Sequence, residues 1–167
     1  MRPADGVGLL SSGCPRVAGV TQRPADRLGL DDLMGFVRAH GDGVLTTLGP
    51  QGEPQAAYLS LATTDRGELV LDARATSRTV TNVRRDARAA VVVGGPDGVT
   101  LQAEGLAEVV HGAERGRCAD AYRTAFPQFA GSLLDPAIAV VRVRLTWARL
   151  GDYRTAAPVV REARLPW

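Results

Sequence analysis

The amino-acid sequence predicts a mainly β fold of the α+β class, a six-stranded antiparallel barrel with short flanking helices. Three observations carry this. Six segments of strand character follow one another, joined mainly by tight turns rich in Gly, Pro and Asp. Only three segments have helical spacing, and they do not alternate with the strands as a doubly wound parallel sheet requires. The chain has 167 residues, 45% hydrophobic and 23% charged, which suits one soluble globular core and is too short for two.

Residues 1–27 carry Gly, Pro, Ser and Arg without sustained periodicity and read as a flexible N-terminal extension. The domain proper then spans residues 28–157. Asp31 or Asp32 can cap its first helix, whose apolar face is Leu33, Phe36 and Val37, and Gly41 and Gly43 end it. Residues 44–48 form the first strand, closed by the turn Gly49-Pro50-Gln51-Gly52. Residues 55–63 form the second, closed by Asp65-Arg66-Gly67, and residues 68–73 the third. A helix over residues 77–85 leads to the fourth strand, 88–93, and the turn at 94–98 leads to the long fifth, 99–110. A helix over 113–126 places Cys118, Ala121, Tyr122 and Ala125 on one face. In the sixth strand, 138–150, Val141, Val143 and Leu145 alternate with Arg142 and Arg144, the period of a half-buried strand. Residues 158–167 read as a C-terminal tail in which Leu165 and Trp167 can dock.

Charge and cysteine content narrow the function classes. Twenty basic residues against eighteen acidic give a net charge of +2, no electrostatic case for nucleic acid or an anionic membrane. Every basic residue is Arg, so any anion site must be built from guanidinium forks, hydroxyls and backbone N–H groups. Cys14 and Cys118 stand alone and far apart, which points to a reducing compartment. With no long apolar run and no secretory signal pattern, the expected location is cytoplasmic.

Standard catalytic signatures are missing: there is no dinucleotide-binding glycine motif, no phosphate loop ending in Lys and no nucleophile elbow. His40 and His111 are not spaced as a metal pair. The segment that stands out is Ala75-Thr76-Ser77-Arg78-Thr79-Val80-Thr81-Asn82-Val83-Arg84-Arg85-Asp86-Ala87-Arg88. A strand ends at Ala73, hydroxyl residues open a helix, and Arg78 sits in its first turn. Unpaired first-turn N–H groups, the positive end of the helix dipole, hydroxyl donors and a bidentate Arg make an anion site. The same residues also read as an ordinary N-cap with a solvated arginine.

The order of Val44-Leu45-Thr46-Thr47-Leu48, Gly52-Glu53-Pro54-Gln55, the Ser77-Arg78 helix start, Asn82–Arg88 and Glu104-Gly105-Leu106-Ala107-Glu108 resembles the pyridoxamine 5′-phosphate oxidase-like split-barrel flavoproteins over about residues 31–153. The closing Trp147–Tyr153 segment is similar to the end of bacterial members with no settled substrate. The resemblance implies a split β-barrel, a homodimer, and FMN held at the subunit interface. It implies that the strand 57–62 lies along the flavin, with backbone groups of Tyr58, Leu59 and Ser60 at the ring edge. Ser77, Arg78 and Thr79 would hold the phosphate beside Ala73, and Thr100 would offer a hydroxyl. Tyr58 also reads as an ordinary strand aromatic, and Trp147 as a core residue. This chain departs from well-studied oxidases, which place Arg and Lys where Ala57 and Ala62 stand, Lys at Thr79, Gln at Thr100 and Pro at Ala87. Losing cations beside the ring and phosphate weakens the case for pyridoxamine phosphate itself as substrate.

The preferred function is that of an FMN-dependent oxidoreductase acting on an unidentified small molecule. The flavin carries the hydride chemistry, so no conspicuous acid–base pair is required and no catalytic side chain is assigned. The alternatives keep the fold: a reductase using the deazaflavin coenzyme (F-420 type), or a non-catalytic barrel that binds haem or flavin. Because residues 1–27 hold little apolar material, a chain beginning at Leu28 is expected to fold and bind cofactor like the full chain. Circular dichroism melting and cofactor titration of the two chains check this, and aggregation of the shorter one would contradict it.

Overall fold

The computed structural model describes residues 28–165. The predicted extension at 1–27 and Trp167 lie outside the described residues. Helix α1 (Leu30–His40) opens on Gly29 as N-cap, with no side-chain cap bond. Asp31 and Asp32, expected as caps, instead sit in the first turn, where they still face the positive end of the dipole. The helix ends at Gly41, whose φ of 74° lets its N–H reach the Val37 carbonyl.

Eight strands follow in place of the six predicted, and all pair antiparallel. They are β1 (Asp42–Leu48), β2 (Pro54–Ser60), β3 (Ala62–Thr63), β4 (Leu69–Arg74), β5 (Arg88–Gly94), β6 (Val99–Val109), β7 (Ile138–Asp152) and β8 (Val159–Arg164). Helix α2 (Arg78–Arg85) joins β4 to β5, and α3 (Gly112–Ala125) with two 3₁₀ turns joins β6 to β7. The order β2-β1-β5-β6-β7-β4-β3, with β8 also on β7, curls the sheet into a half-barrel, the split-barrel fold.

Both extra strands have a local cause. The expected strand 55–63 divides at Leu61, which is buried and donates its N–H to the Gly41 carbonyl at 2.9 Å. There the chain leaves β1, where Ser60 faces Asp42, and joins β4, where Ala62 faces Val70. The second addition falls in the predicted C-terminal tail: residues 159–164 pair with residues 147–152 of β7. Its sequence, Val159-Val160-Arg161-Glu162-Ala163-Arg164, is short and charged, as an edge strand is. Between Glu104 and Gly105 the β6–β7 register shifts. A Cβ at Gly105 would lie 2.3 Å from the Arg144 carbonyl oxygen, so only glycine allows this bulge.

Alternating side chains of β1, β5, β6 and β7 fill the interior with Leu45, Val91, Leu101, Val143 and Leu145, joined by Leu33 and Val37 of α1 and Val80 of α2. A second apolar cluster lies under α3, where Cys118, Ala119 and Tyr122 meet Val70, Leu133 and Val140. Burial raises the Cys118 thiol above its ordinary pKa.

One buried charge belongs to this frame. Glu68 is 2% exposed. It accepts from Thr64 Oγ1 at 2.8 Å and pairs with Arg142 of β7 at 3.0 Å and Arg117 of α3 at 2.7 Å. Arg142 also pairs with Glu108 and Glu114, and Arg117 with Glu114. Glu68→Ala leaves two inward-facing arginines short of a carboxylate and is expected to cost about 3–5 kcal/mol, read from the urea midpoint. The Arg117 hydrogen bond holds the Glu114 carboxyl below its ordinary value of 4.5. A group depressed in the folded state contributes stability that is complete above its unfolded pKa and lost as pH falls through the folded one. The urea midpoint should therefore hold from about pH 7 to about pH 5 and drop below about pH 4.5, with a smaller drop in Glu114→Gln.

Candidate functional site

The site is organised by the β4–α2 junction. Beyond Arg74 the chain is pinned by Ala75 N–H donating to the Ala137 carbonyl at 2.7 Å and Ser77 N–H donating to the Arg74 carbonyl at 2.8 Å. Ser77 is the N-cap of α2, and its hydroxyl oxygen accepts from Val80 N–H at 3.2 Å. The N–H groups of Arg78 and Thr79 precede the first intrahelical partner and remain available.

The rest of α2 is lashed to the β1–β2 hairpin. Asn82 is buried; its amide donates to Thr47 Oγ1 and to Gln55 Oε1, both at 3.0 Å, while its carbonyl accepts from Arg85 at 3.2 Å. Arg85 also donates to the Leu48 carbonyl. Between helix and hairpin lies an open cavity of about 330 Å³, with Thr76, Arg78, Thr81 and Arg85 on the helix side and Glu53 and Gln55 on the hairpin side. Glu53 remains a carboxylate on the hairpin wall: it accepts from Gln51 N–H and Gln55 Nε2, and backbone hydrogen bonds hold its carboxyl below the usual value, so its charge is turned toward the hairpin's own donors. Arg78 is exposed and forms no hydrogen bond or ion pair with any described residue. A cation fixed on a rigid helix start, among three hydroxyls and two free amides, is suited to a phosphate.

The predicted residues fall into three groups. Ser77, Arg78 and Thr79 share the start of α2, three residues beyond Arg74. Ala73 and Leu59 turn their side chains to the main core, so only their backbones are free to meet a ligand. Tyr58 points outward, 70% exposed, and the Asp42 carboxylate raises its phenol pKa. Thr100 does not join them. It lies at the hairpin end of β6, opposite Gly94 and Gly151, seven residues from Ala107, whose N–H bonds the Ala87 carbonyl at the foot of α2. At about 3.3 Å per residue that is roughly 23 Å along the strand.

Ser60 brings in residues that the sequence reading missed. Tyr122 of α3 donates its hydroxyl to Asp72 Oδ1 at 2.8 Å, and Ser132 Oγ donates to Asp72 Oδ2 at 2.6 Å. The Ser60 side chain hydrogen-bonds the same Tyr122 hydroxyl, and burial, with Asp72 beside it, pushes that phenol well above its ordinary pKa. The ends of β2 and β4 are thus joined by a chain of hydroxyls around one carboxylate. The signal was Asp72 itself, a charge directly after the apolar run Leu69-Val70-Leu71 and before Ala73.

The model of the pyridoxamine 5′-phosphate oxidase family matches residues 31–150, from α1 through most of β7. The chain belongs to the pyridoxamine 5′-phosphate oxidase family. Several solved structures share its fold. A haem-binding protein from Mycobacterium smegmatis superposes with a TM-score of 0.70 at 18% identity, over 83% of this chain and 59% of that one. This member of the pyridoxamine 5′-phosphate oxidase family thus spans well under two thirds of that longer protein. A Listeria innocua protein provisionally named a pyridoxamine 5′-phosphate oxidase gives 0.60 at 20% identity, over 72% and 96%. The haem storage protein HutZ from Vibrio cholerae gives 0.60 at 13%, over 68% and 87%. No curated protein matches the sequence.

Asn82 is the side chain that fixes α2 relative to the hairpin. Asn82→Ala should cost about 2–3 kcal/mol, because Thr47, Gln55 and Arg85 lose a partner in a part-buried setting. Urea unfolding measures the loss, and hydrogen exchange should place the loosened amides in α2 and the β1–β2 hairpin.

Proposed function

We propose that this chain is an FMN-binding oxidoreductase that works as a homodimer on a small organic molecule. The observation carrying this reading is Arg78 at the capped start of α2, which has no partner among the described residues. Its guanidinium fork and the hydroxyls of Thr76, Ser77 and Thr79 suit a phosphate monoester, and the first-turn amides add two donors. The absence of Lys leaves this as an Arg-and-amide phosphate site. FMN, when bound, supplies hydride transfer. The chain itself binds and orients: backbone groups of Tyr58, Leu59 and Ser60 would face the ring edge, and the Tyr122 hydroxyl holds its proton toward Asp72 at neutral pH.

The outer sheet face supports the dimer. Tyr58, Val44 and Val92 stand side by side across β2, β1 and β5, and Leu106 on β6 faces Arg88 of β5. Tyr58, Val92 and Leu106 are 70%, 42% and 45% exposed, a patch that a second copy would cover. Thr100, remote from α2 in its own subunit, would then meet a cofactor held by the other.

Haem is the second reading, favoured by the names of two structural neighbours. Weighing against it, no His, Cys or Met is among the described residues lining the α2 cavity. His40 lies on α1, where its Nδ1 bonds the Phe36 carbonyl and its ring packs 4.2 Å from that of Phe36. A deazaflavin coenzyme, whose phosphate would use the same cradle, is separated from FMN by absorbance.

Arg78→Ala should weaken FMN about ten- to a hundredfold while riboflavin, lacking the phosphate, hardly changes. Fluorescence titration checks both, with Arg66→Ala as a control, since Arg66 faces Glu114. Equal loss for both ligands would mean that ring or fold was disturbed, and intact FMN affinity would remove the phosphate assignment. Sedimentation velocity at micromolar concentration should give the mass of two chains; a stable folded monomer would count against the dimer.

A further inference from the structure

A second cavity lies on the other side of α2. It holds about 500 Å³ and opens between the end of β6, the start of α3, the second 3₁₀ turn and the start of β7. Its size falls in the range of small-molecule pockets. Its floor is apolar: Val110, Leu133 and Val140 are buried, and Val109 and Ile138 half-buried. Three cationic or titratable side chains reach it, Arg84 from α2, and His111 and Arg115 from the α3 start, and no acidic residue among the described residues lines it.

The arginines are held in place without being neutralised. Arg84 donates to the Ala75 carbonyl at 3.2 Å, and Arg115 donates to the Leu133 carbonyl at 3.1 Å. Each bond uses one guanidinium nitrogen, and neither arginine forms an ion pair among the described residues. Elsewhere arginines of this chain find carboxylates, as Arg88, Arg117, Arg142 and Arg154 do. The walls are fixed as well, by Ala75 N–H on the Ala137 carbonyl and Val110 N–H on the Val140 carbonyl. Two preset guanidinium groups over an apolar floor select a ligand with one anionic end and one apolar body.

We infer that this cavity binds an amphipathic organic anion, a carboxylate or phosphate monoester on an apolar body, with Arg84 and Arg115 on its head group. The site is separate from the Arg78 cradle and does not depend on the flavin reading. Calorimetric titration of the full chain with octanoate and with octyl phosphate tests it and tells the two head groups apart. Saturable one-to-one binding of either is expected, with acetate and 1-octanol, which each carry half of the chemistry, at least tenfold weaker. Arg84→Glu, at an exposed position, should weaken the octyl anion about ten- to a hundredfold and leave FMN affinity unchanged. Arg115→Gln should act in the same direction if the variant folds; Arg84→Glu decides the matter if it does not. No saturable binding of either anion, binding as tight for 1-octanol, or binding indifferent to Arg84→Glu would overturn the assignment.

Discussion

A carboxylate taken out of water constrains much of this molecule. Glu68 stands at the entry to β4 with almost no exposed surface, and a lone charge there would be prohibitive. Arg142 comes from the middle of β7 and Arg117 from α3, so meeting Glu68 fixes where the helix crosses the sheet. With α3 fixed, Cys118 and Tyr122 fall onto β4, and the Tyr122 hydroxyl reaches Asp72. Such a network adds little net stability compared with a well-packed apolar alternative. Its effect is positional, since a helix shifted by one turn would leave two arginines and a glutamate mismatched.

The candidate site shows the opposite treatment of charge. Arg85 and Asn82 spend their hydrogen bonds securing α2 to the hairpin, while Arg78, at the other end of the helix, makes none with the described residues. Rigid support fixes the backbone around an unsatisfied donor, so binding would have to order chiefly the Arg78 side chain and not the helix that carries it. The contrast also divides labour along one short helix. Its first turn is open to a ligand, its middle is locked, and Arg84 turns toward the far cavity.

Much of the fold was legible because it rests on local rules. The alternation of Val141, Val143 and Leu145 against Arg142 and Arg144 identified β7, and the hydroxyl pair before Arg78 identified the start of α2. What escaped rests on long-range pairing. The break at Leu61 depends on a carbonyl twenty residues earlier, and β8 exists because half of β7 extends past β4 and needs a neighbour. Within the candidate site, Ser77, Arg78 and Thr79 were found as one local motif. Asp72, Tyr122 and Ser132 converge from positions up to sixty residues apart, and no spacing in the sequence announces them. Thr100 differs again: its role came from the family resemblance, and the sheet register places it at the far end of β6 from Ala107.

The way β8 closes the sheet bears on how the chain avoids strand pairing at an open edge. It covers the stretch of β7 from Trp147 to Asp152, while Leu28 N–H bonds the Glu162 carbonyl and Arg161 pairs with Asp32 at 3.1 Å. A nascent chain that has made β7 but not yet β8 presents a row of bare amides and carbonyls, a template for any passing strand. Sealing it with a segment bearing Arg161, Glu162 and Arg164 gives the sheet a final edge that is costly to extend. The last few residues of the fold therefore act as a guard against aggregation, and the interval before they dock is when the protein is most exposed to it.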